Sequence, residues 1–189
     1  SCGGGVNLLK SYRITDKLRL QGFDIDSRYH ADVILEGVFP SLLGEIVDTL
    51  SNFEIDVEEL IRGGGGIAPH TQRLGTALTD KGWVKHEFQI TTYIDSRKVI
   101  SQTHEIDHIK ALDDKAIGLE IEWNNKDPFF NRDLETFSRL HADDAISVGM
   151  IVTRGKSLND GLESTILSWA NNSGINSMSD LVPFGYTPT

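Results

Sequence analysis

Cysteine is almost missing. Cys2 stands alone among 189 residues, which excludes an internal disulfide framework and a cysteine-rich zinc site. Set beside three glycines, it reads as incidental. No apolar run approaches the roughly 18–20 residues that a membrane span needs. The opening "SCGGGVNLL" lacks the apolar core and basic flank of a signal peptide, so a cytoplasmic protein is expected, with residues 1–10 a mobile terminus outside the fold. Positive charge is also scarce. With 18 Lys and Arg against 28 Asp and Glu the formal net charge is −10, which argues against a protein that coats nucleic acid non-specifically, because such binding relies on Lys and Arg neutralising phosphates. A local basic cleft remains compatible with that total, since a metal-binding carboxylate cluster itself adds negative charge. Internal repeats are absent, and the only low-complexity tract is glycine.

What is present suits one soluble globular domain over 1–189, with 39% hydrophobic and 24% charged residues. "LQGFDIDS" (20–27) alternates like a short strand, and "RYHADVILEG" follows as a helix closed by Gly37. After Pro40, Leu42, Leu43, Ile46, Val47 and Leu50 form one helical stripe. "NFEIDVEELI" is ambiguous between strand and helix. Pro69 and Gly82 bracket a helix over about 69–82. Two β segments come next, "WVKHEFQITTYI" and "KVISQTHEIDHIK", then a turn at Asp113 and Asp114 and a strand over 116–123. "NRDLETFSRLHA" (131–142) reads as an amphipathic helix with Leu134, Phe137 and Leu140 inward, and "AISVGMIVT" as a fully buried strand reached by that crossover. Strand, helix, strand predicts an α/β (α+β) architecture with a sheet flanked by helices. Beyond Gly155 the signal fades to one short helix, "STILSWANNSG".

Three local patterns carry chemistry. "RGGGGIAPH" invites a phosphate-loop reading, but the Gly-Lys-Ser/Thr ending that cradles phosphates is missing, and a flexible linker is the better reading. "HEIDH" spells H-E-x-x-H, which on a helix would make His104 and His108 zinc ligands with Glu105 as general base. The surrounding residues suit a strand at least as well, and a strand puts Glu105 on the face opposite both histidines. In "IGLEIEWNN", Leu119, Ile121 and Trp123 share one strand face while Glu120 and Glu122 stand together on the other. Neighbouring carboxylates are unfavourable unless water, a proton or a cation separates their charges. If 104–110 and 116–123 form one hairpin, Asp107 lies opposite this pair, and three carboxylates converge. Oxygen-only ligands with room for water favour magnesium, and phosphodiester hydrolysis is the natural chemistry.

Asp107 followed by Glu120, Ile121 and Glu122 at the end of an apolar strand resembles the PD-(D/E)XK nuclease superfamily. Taken in order, "DIDSRYHADVIL", "ALTDKGW", "EIDHIK", "GLEIEWNN" and "ISVGMIVTRG" resemble the type II restriction endonucleases of the BglII and BstYI group, with BamHI more distant, from about Gly22 to Arg154. The resemblance implies a restriction-endonuclease-like fold with a central mixed sheet, a magnesium cofactor, a duplex DNA substrate and a homodimer matched to a palindromic site. It implies Asp107 and Glu120 as metal ligands completed by the carbonyl of Ile121, with Glu122, where most of the superfamily has Lys, as candidate base. Glu87 is the best match for a further active-site residue, with His86 the alternative. Asn124, Asn125, Lys126 and Arg132 become candidate DNA contacts. The Asp107-to-Glu120 interval is longer than in BglII, which implies a longer hairpin turn. A nuclease-like DNA-binding module without catalysis is the competing reading from another class.

Overall fold

The computed structural model describes residues 13–61, 68–123 and 127–184. Helices α1 (Asp16–Leu20), α2 (Ala31–Val38), α3 (Pro40–Ser51), α4 (Val57–Ile61) and α5 (Pro69–Asp80) precede the sheet. Strands β1 (Val84–Ile94), β2 (Arg97–Leu112) and β3 (Lys115–Glu122) form an antiparallel meander. Helix α6 (Asp127–Ala142) then crosses to β4 (Val148–Thr153), which pairs parallel to β3. Helix α7 (Lys156–Asn172) and a 3₁₀ turn (Met178–Phe184) follow. The sheet order is β1-β2-β3-β4. This mixed sheet flanked by helices is the α+β arrangement that the resemblance implies.

Pro40 and Pro69 open α3 and α5 at their first turns, where a missing N–H costs no hydrogen bond. At the end of α5, Gly82 adopts φ 87°, a conformation that would strain any residue with a Cβ. The apolar stripe Leu42, Leu43, Ile46, Val47 and Leu50 is buried as its spacing requires. It packs with Leu74 and Leu78 of α5 against Ile117, Leu119 and Val148, so one face of β3 and β4 closes the larger core. A smaller core covers the other face, where Phe137 and Leu140 of α6 meet Ile106, Ile109 and Ile146. Each such side chain contributes about 1.5–3 kcal/mol on full burial.

One polar knot ties the layers together. The Lys110 ammonium donates to both oxygens of Glu45 at 2.7 Å and to the Lys81 carbonyl at 2.6 Å. Glu45 also accepts the indole N–H of Trp83, which is fully buried. Lys110 thus joins β2 to α3 and the end of α5, away from the acidic face of β3.

Several sequence expectations change. Residues 20–27 form no strand: α1 ends at Leu20 and the following segment runs without a pairing partner. The ambiguous stretch after Asn52 resolves as α4, and the weak C-terminal signal becomes the 17-residue α7. No longer turn separates Asp107 from Glu120. Leu112 pairs with Lys115 across Asp113 and Asp114, so the extra residues lengthen the strands instead. The glycine run at 62–67 lies outside the described residues.

Candidate active site

The pairing of His108 with Leu119 fixes the β2–β3 hairpin so that Asp107 comes opposite Glu120. The Glu120 carboxylate accepts the backbone N–H of Asp107 at 3.1 Å. On β3, Ile117, Leu119 and Ile121 turn into the larger core, while Gly118, Glu120 and Glu122 face α6. Pairing from β2 stops at Leu119, so the last residues of β3 run beside β4 alone. A carboxylate-bearing strand end is thereby left open on one side.

The helix facing this end supplies an acid that the sequence reading missed. Asp133, at the middle of α6, is 6% exposed, and its Oδ2 has no hydrogen-bond donor. Its other oxygen accepts from Arg132, at 3.2 Å from Nε and 3.1 Å from a terminal nitrogen. The helix is rotated from the expected setting: Leu134 is 41% exposed, and Asp133, Phe137 and Leu140 form the inward stripe at i, i+4 and i+7. That spacing was the available signal. An aspartate in an otherwise apolar stripe marks where the strand face turns acidic.

Electrostatics reflect this crowding. Glu120 is 7% exposed. Burial pushes its carboxyl up to about 8, and Asp107, Asp133 and Glu122 add like-charge repulsion that outlasts the one stabilising N–H bond. Burial also raises Glu122, whose carboxyl hydrogen-bonds that of Asp133. Two ionised carboxylates both accept, so that contact requires a shared proton or a cation. The donor-less oxygen of Asp133 expresses the same deficit. The donors are all oxygens, two of the acids are nearly buried, and the cluster fits a hard divalent cation. Even so, no three His, Cys, Asp or Glu side chains among the described residues already converge in a metal-holding arrangement. Glu120, Glu122 and Asp133 do not themselves close such a set, and Asp107 adds no ligand to it: its side chain is 57% exposed and reaches toward Lys85, 3.4 Å away. Lys85 binds Glu105 more closely, at 2.7 Å.

A β-bulge explains where Asp107 points. Val84 pairs with Ile109 and His86 with Ile106, so Asp107 and His108 together oppose Lys85. Bulges break alternation and re-aim side chains. Here the bulge also separates the histidines of the H-E-x-x-H stretch. His104 pairs with Phe88, which packs on the smaller core beneath α6, whereas His108 is buried against Gly75 of α5 on the other side of the sheet. In a strand, with these two rings on opposite faces, the zinc-hydrolase constellation does not form. His108 is held below the usual imidazole range by burial, as a neutral core residue is.

Glu87 pairs with Glu105 and is exposed, on the face opposite Phe88 and Ile90. His86 lies on the Phe88 face, edge-on to that ring with centroids 4.5 Å apart. Neither is brought into contact with Glu120. Arg132 stands at the rim, 63% exposed and tied to Asp133. Asn124, Asn125 and Lys126 lie outside the described residues. Just before them, the Trp123 carbonyl accepts from Arg154 Nε at 2.8 Å, and the Glu122 carbonyl accepts from the Thr153 hydroxyl at 2.8 Å, so β4 anchors the exit of β3. On the opposite face of the sheet, a cleft of about 310 Å³ is lined by His70, Trp123, Ile121 and Phe53. It lies beneath β3, away from the carboxylates.

The family model described as restriction endonuclease BglII/BglIII covers residues 23–173, most of the chain. A search of curated proteins finds none that matches.

Proposed function

The chain belongs to the BglII/BglIII restriction endonuclease family, and is thus a type II restriction endonuclease acting on DNA; from that premise we propose that it is a magnesium-dependent homodimer that hydrolyses both strands of a short palindromic site, leaving 5′-phosphate ends. The observation that carries this reading is the cluster of Glu120, Glu122 and Asp133 at the open end of β3, with Asp107 at its rim.

Asp107, Glu120 and the Ile121 carbonyl would hold the ion, which supplies charge neutralisation at the phosphoryl and leaving oxygens and lowers the pKa of a nearby water. Glu120 must lose its proton for this, so its raised pKa couples metal uptake to proton release. Glu122 accepts a proton from the attacking water. Burial and the contact with Asp133 raise its basicity above that of an ordinary glutamate, which suits a base working near neutral pH. Asp133 holds Glu122 and is itself held by Arg132. Glu87 is retained only as a residue reachable from the β1 side, since it stands next to Glu105 and apart from Glu120.

A two-fold palindrome is matched by two-fold protein symmetry, hence the homodimer. Asn124, Asn125 and Lys126, directly after the catalytic strand, together with Arg132, would read bases or phosphates: Asn suits adenine, and Lys suits guanine or phosphate. No helix among the described residues is long and apolar enough to cross a membrane, and a cytoplasmic setting belongs to the same proposal. The test is Glu120→Ala. Metal-dependent cleavage should disappear while the thermal unfolding transition stays cooperative, and full cleavage by that variant would overturn the assignment.

A further inference from the structure

Strands β1 and β2 outrun the rest of the sheet. Pairing between them continues to Ile94 and Arg97, whereas β3 covers only the His108–Leu112 end of β2. The last anchored positions are Ile90, packed on the smaller core, and Gln102, whose side chain meets Arg139 of α6. From Thr92 to Thr103 every residue is exposed. The five steps from Ile90 to Asp95 carry this two-stranded ribbon roughly 17 Å outward at about 3.4 Å per residue. Its tip is a tight two-residue turn, Asp95 and Ser96, with φ of 47° and 64°.

The ribbon's chemistry differs from that of the rest of the chain. Between Phe88 and Thr103 the only acid is Asp95, in a protein of net charge −10. Beside the turn stand Arg97 and Lys98, and neither has an ion-pair partner among the described residues. Most cations elsewhere are paired, as in Arg13 with Asp32, Arg73 with Glu59, Lys81 with Asp48 and Lys115 with Asp144, with Lys17 and Arg19 of α1 among the exceptions. Neutral hydrogen-bonding side chains, Thr91, Thr92, Ser101, Gln102 and Thr103, fill the flanks. An isolated two-stranded ribbon is marginally stable in water, so a partner that covers it is expected.

We propose that this ribbon is an arm that grips the sugar–phosphate backbone of duplex DNA, Arg97 and Lys98 each meeting a phosphate. The inference rests on the nuclease reading, because the arm continues the strand that carries Asp107: Arg97 lies ten residues along β2 from it, about 34 Å at about 3.4 Å per residue, the length of about ten base pairs of a duplex seated at the carboxylates. A two-stranded ribbon fits the major groove, and hydroxyl and amide side chains beside paired cations are the usual phosphate-contacting set. The exposed Tyr93, Ile94, Val99 and Ile100 make a second copy of the chain the rival occupant.

Binding of a short mixed-sequence duplex in EDTA, followed by fluorescence anisotropy across salt concentrations, separates these outcomes. Each neutralised phosphate contributes about 0.9 to the slope of log K against log salt, so R97A/K98A should flatten the slope by about 1.8 and weaken binding roughly 60-fold at about 0.1 M salt for each arm engaged, about 3.6 in slope where both arms of a homodimer are engaged. R97K/K98R should keep the slope, and all three proteins should show the same mass by sedimentation. An unchanged slope in R97A/K98A overturns the arm while leaving the nuclease reading intact, as does a slope change that appears only with loss of self-association, which would make the ribbon a contact between copies. A wild-type protein that binds no duplex at any salt removes both.

Discussion

Glu120 carries the sharpest consequences at the scale of single residues. Its carboxyl titrates near 8 in the folded chain, against about 4.3 in an unfolded one. The folded state therefore holds the proton more tightly, and stability falls as pH rises between those values. In EDTA, Glu120→Gln should be more stable than the wild type by several kcal/mol at pH 8 and above, the gap closing as pH falls toward 4; thermal unfolding across that range checks it, and a gap independent of pH would contradict the burial argument. Magnesium affinity should run the other way. Titration calorimetry should show it rising up to about tenfold per pH unit below 8 and levelling above, with a proton released on binding. Asp133 adds a separate expectation. Replacing it with Asn removes one cause of the raised Glu122 pKa, so residual cleavage should shift its rising limb to lower pH.

Among elements, the packing of α6 on β3 and β4 decides whether this constellation forms. The Phe137 ring lies against Gly118 and Gly149, where a Cβ at Gly118 would sit 2.8 Å from the ring and one at Gly149 would collide with it. Gly149→Ala should cost about 1–3 kcal/mol or more by overpacking, measured by urea unfolding, and should impair cleavage by tilting Asp133 away from Glu122. Much of this layer was readable in advance. Period-two alternation in "IGLEIEWNN" placed Glu120 and Glu122 on one face, and the apolar run at 145–153 with a helix before it implied a strand reached by a crossover. That strand, β4, is however an edge strand with only Val148 buried, and not the fully buried strand expected, because no further strand among the described residues covers its outer edge. The setting of α6 was not readable, because Leu134 and Asp133 are adjacent and apolar periodicity alone favours turning Leu134 inward; only the acidic strand face selects Asp133. The β-bulge was equally hidden. It arises from a register shift between strands, and no residue of "HEIDHIK" announces it. Its effect is to expose Asp107 and to divide His104 from His108.

At the scale of the whole molecule, the net charge of −10 becomes intelligible once it is resolved in space. Acids gather at the open end of β3, most cations of the body are paired with carboxylates, and two cations with no ion-pair partner among the described residues stand at the end of a ribbon rooted beside the site. Such a distribution disfavours binding to DNA everywhere and permits binding where arm and cluster act together. The family match agrees with that reading, and it extends through all of α7, beyond the stretch whose motifs were recognisable. The most direct measurement is cleavage of a long natural DNA, rich enough to contain any short sequence many times, by the purified protein with magnesium and with EDTA. Discrete fragments with 5′-phosphate ends, formed with magnesium and absent with EDTA, are the expected result. Intact DNA under both conditions, or the same fragments without metal, would contradict it.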